Sequence, residues 1–271
     1  MNMTAALIEK CNRQLHEDLD EVVAALEFAT SAFKTYASSG DILQWIGSQA
    51  DLRTVVLEFR TSTRLTDLNF IFQSLYVQAW SAFELFVRSL VTSYLEEVCS
   101  RAADFKSLNK AKLIERNLYH TGVALQQILE NRSGLNIDFF AVAQNVATSI
   151  PASAKVTLNF PTFLIFMKGP SVEGIEDALK RIGFKNFDWD RVGGATAVQT
   201  AFGTKGTRET TDEVINYLKK AQKTRNNIVH RGENIEVITE SDVRQGATVF
   251  EVVGVAIAEF LKTSLSQAAS A

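Results

Sequence analysis

From Asp67 to Arg101 the apolar residues Leu68, Ile71, Phe72, Leu75, Tyr76, Ala79, Ala82, Phe83, Phe86, Val87, Leu90, Tyr94 and Val98 cover more than half of a helical circumference. That pattern predicts a long helix buried on most sides, around which a helical domain can assemble. One-sided versions of the pattern flank it. Leu15, Leu19, Val22, Val23, Leu26 and Phe33 recur at spacings near three and four and predict an amphipathic helix over 4–37, followed by a shorter one over 41–60. Further helices are predicted over 109–131, 135–148 and 171–182, the last stopped by Gly183. Val249, Val252, Val253, Ala256, Ile257, Phe260 and Leu261 form the stripe of a final helix over 243–265. All three prolines fall between 151 and 170, where PASAKVTLNFPTFLIFMKGP predicts a connection holding a little extended structure. Residues 183–206, glycine-rich and ending GTKGTRET, predict an exposed loop before a helix that starts near Thr211. The expected fold class is all-α, with residues 1–66 as an N-terminal helical extension and 67–271 as the main domain.

Composition narrows the function classes. A chain of 271 residues that is 46% hydrophobic can bury a sizeable core, so disorder is not the expectation. The formal net charge of -3 provides no global attraction to nucleic acid or to an anionic membrane, so any such binding must be local. Cys11 and Cys99 lie far apart and outside any Cys-x-x-Cys spacing, which argues against a disulfide framework and a structural zinc site and fits a reducing cytoplasm. The N-terminal segment meets acidic residues before an apolar core forms, so it does not read as a signal peptide. No apolar run is long enough to predict a membrane span. Neither a G-x-x-x-x-G-K-[ST] loop nor a G-x-S-x-G nucleophile elbow occurs, and no metal-ligand spacing emerges.

The segment KTRNNIVHRGEN, residues 223–234, concentrates candidate chemistry. On a helical wheel Val214, Leu218, Ala221, Arg225 and Ile228 share one stripe, whereas Asn216, Lys219, Lys223, Asn226 and His230 fall on a neighbouring polar face. Gly232 is a natural stop, so His230 occupies the last turn, where the helix dipole favours a cationic imidazole. Arg225 cannot discharge its guanidinium among apolar residues and needs an anionic partner. A carboxylate of the protein and a phosphate both satisfy that need. Between Lys205 and Arg231 seven Lys and Arg side chains face three carboxylates, which makes this helix a positive patch in a slightly acidic chain.

RNNIVH is an R-x4-H string with a polar residue directly after the arginine, and in this it resembles the signature of HEPN-domain ribonucleases. The long buried helix containing LYVQAWSAFELFVRSLVTSYLEEV, a variable region, the motif helix and a final amphipathic helix also resemble the HEPN arrangement, particularly its RiboL-PSP-like prokaryotic branch. The resemblance covers roughly residues 67–265, with 149–206 larger than a minimal HEPN bundle needs. It implies a HEPN-like helical bundle that forms a homodimer with the two motif helices facing each other. It further implies RNA cleavage with no metal or other cofactor, in a toxin or defence setting where an antitoxin or regulatory protein is a further partner. In that scheme Arg225 stabilises charge on the phosphate, His230 assists proton transfer and Asn226 orients one of these groups. Lys219, Lys223 and Arg231 would hold the RNA strand. A non-catalytic helical module that dimerises or binds a regulatory partner is the alternative.

Other constellations are weaker. Glu84 and Arg88 are four apart on the buried helix; they suit an intrahelical ion pair, while Glu84 could instead orient Arg225 or His230. RNLYH, with Arg116 and His120, is one residue short of the signature and predicts a surface or packing role. His16, among Glu17, Asp18, Asp20 and Glu21, predicts a solvated residue.

Overall fold

Long apolar stripes on a chain with few prolines give helices here, and among the described residues no strand occurs. The computed structural model describes residues 6–46, 65–101, 112–129, 139–148, 158–164, 169–230 and 237–268. The helices are α1 (Ala6–Ile46), α2 (Leu65–Arg101), α3 (Leu113–Leu129), α4 (Phe139–Thr148), α5 (Phe160–Phe163), α6 (Val172–Arg181), α7 (Asp190–Gly193), α8 (Thr196–Phe202), α9 (Thr207–His230) and α10 (Glu240–Ala268). The all-α expectation holds. The break expected before residue 41 does not occur, because α1 continues through Ser38, Ser39 and Gly40 to Ile46. These residues cost helix propensity without blocking the hydrogen-bond ladder as proline does. The remainder of the helix expected over 41–60 lies outside the described residues.

The backbone divides into two compact units. The first comprises 1–14, 83–219 and 252–271. Its core includes Phe83, Leu90 and Leu95 from α2, Phe163, Ile175, Val192, Val214 and Leu218, and Leu261 from α10, all at most 1% exposed. The N-terminal part of α1 is tied in by the Leu7 amide, which donates to Glu97 Oε1 at 3.1 Å. Glu97 is buried and pairs with Arg101 at 3.1 Å, so its charge is compensated one turn along α2. Asn159, 1% exposed, holds three segments together. Its amide donates to Asn117 Oδ1 at 2.7 Å, and its Nδ2 donates to Thr121 Oγ1 at 3.0 Å and to the Val142 carbonyl at 3.2 Å. Of the connection over 151–170, the described residues 158–164 hold no strand and carry the single turn α5, with Pro161 near its start where a missing N–H costs nothing, and residues 151–157 and 165–168 lie outside the described residues.

The segment predicted as an exposed loop, 183–206, is packed. It contains α7 and α8, and α9 begins at Thr207, four residues earlier than predicted. Phe184 lies between Tyr94 of α2 and Phe260 of α10, with ring centroids 5.4 and 4.9 Å away. Phe187 meets Phe260 at 5.1 Å and Trp189 at 4.9 Å, and the Trp189 indole donates to Glu176 at 2.8 Å. Aromatic burial of this kind anchors a chain segment without any helical period. At Gly193, α7 lies so close to α9 that a Cβ would stand 2.3 Å from Thr211 Oγ1 and 2.6 Å from the Thr207 carbonyl. Gly183, the predicted stop of α6, has φ of 117°, a conformation open to glycine.

The second unit comprises 15–82 and 220–251. Leu15, Leu19, Val22 and Leu26 of α1 are buried at the predicted spacing, and Trp80 of α2 meets Phe250 of α10 edge-on at 5.6 Å. The start of α10 is a capping box: the Thr239 amide donates to Asp242 Oδ2 at 2.9 Å and the Asp242 amide to Thr239 Oγ1 at 3.2 Å. Just before it, the Ile238 amide donates to Asn69 Oδ1 at 3.1 Å, which holds that segment beside α2. His16 is exposed, as expected, and its Nδ1 lies 2.8 Å from Glu251. That hydrogen bond, with the nearby Asp20 carboxylate, raises the imidazole above its ordinary pKa.

Candidate nucleic-acid interface

The motif lies at the C-terminal end of α9. Val214, Leu218 and Ala221 are buried, and the same stripe continues through half-buried Arg225 and Ile228. Lys219, Lys223, Asn226 and His230 are exposed, so the predicted division between apolar stripe and polar face is present. Arg231 lies outside the described residues. His230 is in the last turn of this 24-residue helix.

Arg225 is the unusual member. Its Nη1 donates to Asn226 Oδ1 at 3.2 Å, while its Nε is buried with no hydrogen-bond partner among the described residues. Within its own unit no described carboxylate pairs with it. Buried donors are nearly always satisfied, so an orphaned guanidinium N–H points to a partner beyond the described residues. Asn226 has a definite place in this arrangement: it holds the guanidinium from the next residue along the helix.

Helical geometry sets how the motif can act. His230 lies five positions after Arg225, which is about 140° around the axis and about 7.5 Å along it. The two side chains therefore leave the helix in different directions, whereas Asn226 and His230 share a face. Beside His230, Val229 is 45% exposed, and elsewhere in the same unit Phe70 and Val237 are 66% and 72% exposed. Apolar side chains left open in this way are material for an interface.

Glu84 is half-buried, and Arg88 donates to its Oε1 through Nη2 at 2.9 Å and Nε at 3.3 Å. This is the intrahelical pair its spacing suggested. A chain comparison adds to the geometry. The family model described as RiboL-PSP-HEPN matches residues 51–263. The chain belongs to that family. The match takes in the long helix α2, the segment 149–206 and the whole R-x4-H motif of this HEPN chain. Comparison with curated proteins and with solved structures returns no match. Among the described residues of the HEPN chain, no cluster of three or more His, Cys, Asp and Glu could hold a metal ion. Nor is any described helix long and apolar enough to cross a membrane.

A second candidate site lies in the first unit, at residues to which the sequence assigned only a surface or packing role. Arg116 and His120, set aside because RNLYH lacks one residue of the signature, line an open cleft of about 590 Å³ with residues of α6. The neighbouring Asn117 is fully buried. Burial, and then the positive charges of Arg181 and Arg116 against the smaller opposing effect of Asp177, bring the His120 pKa down to about 4.

Proposed function

We propose that this HEPN chain is a metal-independent endoribonuclease, acting as a homodimer in which two copies of α9 build one composite RNA-cleaving site. The observation that carries the reading is the half-buried guanidinium of Arg225, held by Asn226 and with its Nε lacking a partner among the described residues, in an R-x4-H motif whose histidine stands exposed at the helix end. Because one helix directs Arg225 and His230 about 140° apart, a second copy supplies the complementary group to a bound phosphate. Exposed Val229 beside His230 gives such a dimer apolar surface to bury.

In this scheme a His230 imidazole accepts the proton of a ribose 2′-hydroxyl as its oxygen attacks phosphorus. The bond to the 5′-oxygen breaks, and that oxygen takes a proton from the partner's imidazole or from water. Cleavage leaves a 2′,3′-cyclic phosphate and a free 5′-hydroxyl. Arg225 stabilises the charge gathering on the phosphate oxygens, an effect that counts most where water is excluded. Lys219, Lys223 and Arg231 contact the strand on either side and make affinity salt-dependent. A role as a toxin or defence effector, restrained by an antitoxin or other regulatory protein in the cytoplasm, follows the family resemblance. Residues 1–66 are proposed as an extension to the nuclease domain at 67–271.

The test compares RNA cleavage by wild type, Arg225→Ala and His230→Ala, with dimerisation checked by sedimentation and with chelator present or absent. Expected are cleavage products from wild type regardless of chelator and a loss of about 100-fold or more in each variant. Equal cleavage by all three proteins would sink the site. The exposed apolar residues near the motif also favour a second reading, a non-catalytic dimerisation module. On that reading both substitutions alter self-association while no preparation cleaves RNA.

A further inference from the structure

The open cleft of about 590 Å³ in the first compact unit is lined from α3, from the end of α6 and by Lys185. Five cationic residues line it, Lys112, Arg116, Lys180, Arg181 and Lys185, against two carboxylates, Glu115 and Asp177. In a chain whose formal net charge is -3, that is a pronounced local excess of positive charge. One carboxylate is already used: Asp177 accepts from Arg181, with Nη2 at 2.7 Å and Nε at 2.9 Å. Among the described residues, Lys112, Lys180 and Lys185 have no ion-pair partner, so their charge is available to a ligand.

The remaining cations are placed by the fold. Arg116 is anchored by a hydrogen bond from its Nη1 to the Lys180 carbonyl, which fixes the guanidinium between α3 and α6. Lys112, immediately before α3, has φ of 55°, a left-handed conformation that costs a lysine free energy and that is often kept where function requires it. Residues 113–116 form the first turn of a 17-residue helix, whose N-terminal dipole adds to the attraction for an anion.

The cleft also has an aromatic wall. Tyr119 is 68% exposed and meets the His120 ring edge-on at 5.2 Å, and His120 in turn packs on Phe163 at 5.2 Å. An exposed aromatic ring beside unpaired cations is the pairing that holds a base and its phosphate together. A volume near 590 Å³ falls within the range of small-molecule sites. Inorganic anions alone would make no use of Tyr119.

We propose that this cleft binds a phosphorylated nucleoside, with the phosphate among Lys112, Arg116, Lys180 and Lys185 and the base against Tyr119. The ligand is either a free nucleotide or one unit of a single-stranded RNA, which present the same chemistry. The inference stands apart from the nuclease reading, since none of these residues belongs to the R-x4-H motif.

The test is a titration of the full-length protein with adenosine 5′-monophosphate, adenosine, inorganic phosphate and a short single-stranded RNA. It is run on His230→Ala protein so that RNA stays intact, and repeated with Lys180→Ala/Lys185→Ala and with Tyr119→Ala added. All three substituted side chains are exposed, and far-ultraviolet dichroism verifies that the variants fold. A nucleotide or RNA should bind more tightly than adenosine or phosphate. The lysine pair should weaken it by about 10-fold and Tyr119→Ala by about 5-fold or more. Binding of the monophosphate identifies a free nucleotide as sufficient. A response confined to RNA, and lowered by the same substitutions, identifies the strand as the source. The proposal is overturned if both ligands bind more weakly than about 1 mM, if binding ignores the substitutions, or if phosphate binds as well as the nucleotide. Intact nucleotide binding with no RNA cleavage by the wild type sinks the nuclease reading alone, and cleavage that Arg225→Ala abolishes with no nucleotide binding sinks this proposal alone.

Discussion

Replacing Asn159 with leucine removes a polar hub without opening a large cavity. The Nδ2 group donates to Thr121 Oγ1 at 3.0 Å and to the Val142 carbonyl at 3.2 Å, both in buried surroundings. Leucine leaves both acceptors facing an apolar side chain, and each unsatisfied buried group costs roughly 1–2 kcal/mol, so the total is about 2–4 kcal/mol. The bond from the Asn159 amide to Asn117 Oδ1 belongs to the backbone and survives. With a urea slope of about 2 kcal/mol per molar, the midpoint should fall by about 1–2 M at unchanged slope. Thr121→Val alone should cost only about 1 kcal/mol, because Nδ2 keeps the Val142 carbonyl. The double variant should lose about 1 kcal/mol less than the sum of the singles, since both remove one shared bond. Urea melts of the four proteins followed by far-ultraviolet dichroism measure all of these quantities. A midpoint for Asn159→Leu within about 0.2 M of wild type would refute the view that this network holds α3, α4 and α5 together.

Two further outcomes are expected. Gly193→Ala places a methyl group 2.3 Å from Thr211 Oγ1 and displaces the hydroxyl from Asp190 Oδ1, so it should cost about 3 kcal/mol in the same melts, against less than 1 kcal/mol for Gly203→Asn. His120 has a folded-state pKa of about 4, below its ordinary 6.5, so the fold favours the neutral ring. The corresponding stability is present in full above pH 6.5 and is lost as pH falls toward 4. After discounting for its half-exposed ring, that loss amounts to about 1–2 kcal/mol. The pH dependence of stability should be shallower by this amount in His120→Gln, and an NMR titration of the ring should show the low pKa directly.

The elements that could be read in advance were those whose own sequence fixes their environment. α2 is apolar over most of its circumference and α9 over one stripe, so the burial of Phe83 and Leu90 and of Val214, Leu218 and Ala221 followed from spacing. Arg225 was also visible, because a charged residue in an apolar stripe is an anomaly at the level of the wheel. That its Nε finds no partner among the described residues was not visible, since hydrogen-bond satisfaction is a property of three dimensions. Residues 183–206 misled because half-buried Phe184 and Phe187 and buried Trp189 are anchored singly, with no period, through contacts with Tyr94 of α2 and Phe260 of α10 far away in the chain. The cleft at Arg116 escaped for the same reason. Lys180, the residue that anchors Arg116, is 64 positions away, and a motif search limited to one helix sees only half of its lining.

Lys112 offers a record of what the cleft is for. At φ of 55° glycine is the favoured occupant, and a lysine there gives up about 1 kcal/mol or more of backbone free energy. Random substitution filtered for stability alone drives such a position toward glycine or asparagine over time. On the nucleotide-binding proposal, the lysine is retained there for its charge. Across the family, position 112 thus becomes a dial that separates two histories: lineages that kept the ligand should keep a cation at this turn, and lineages that lost it should have relaxed to glycine.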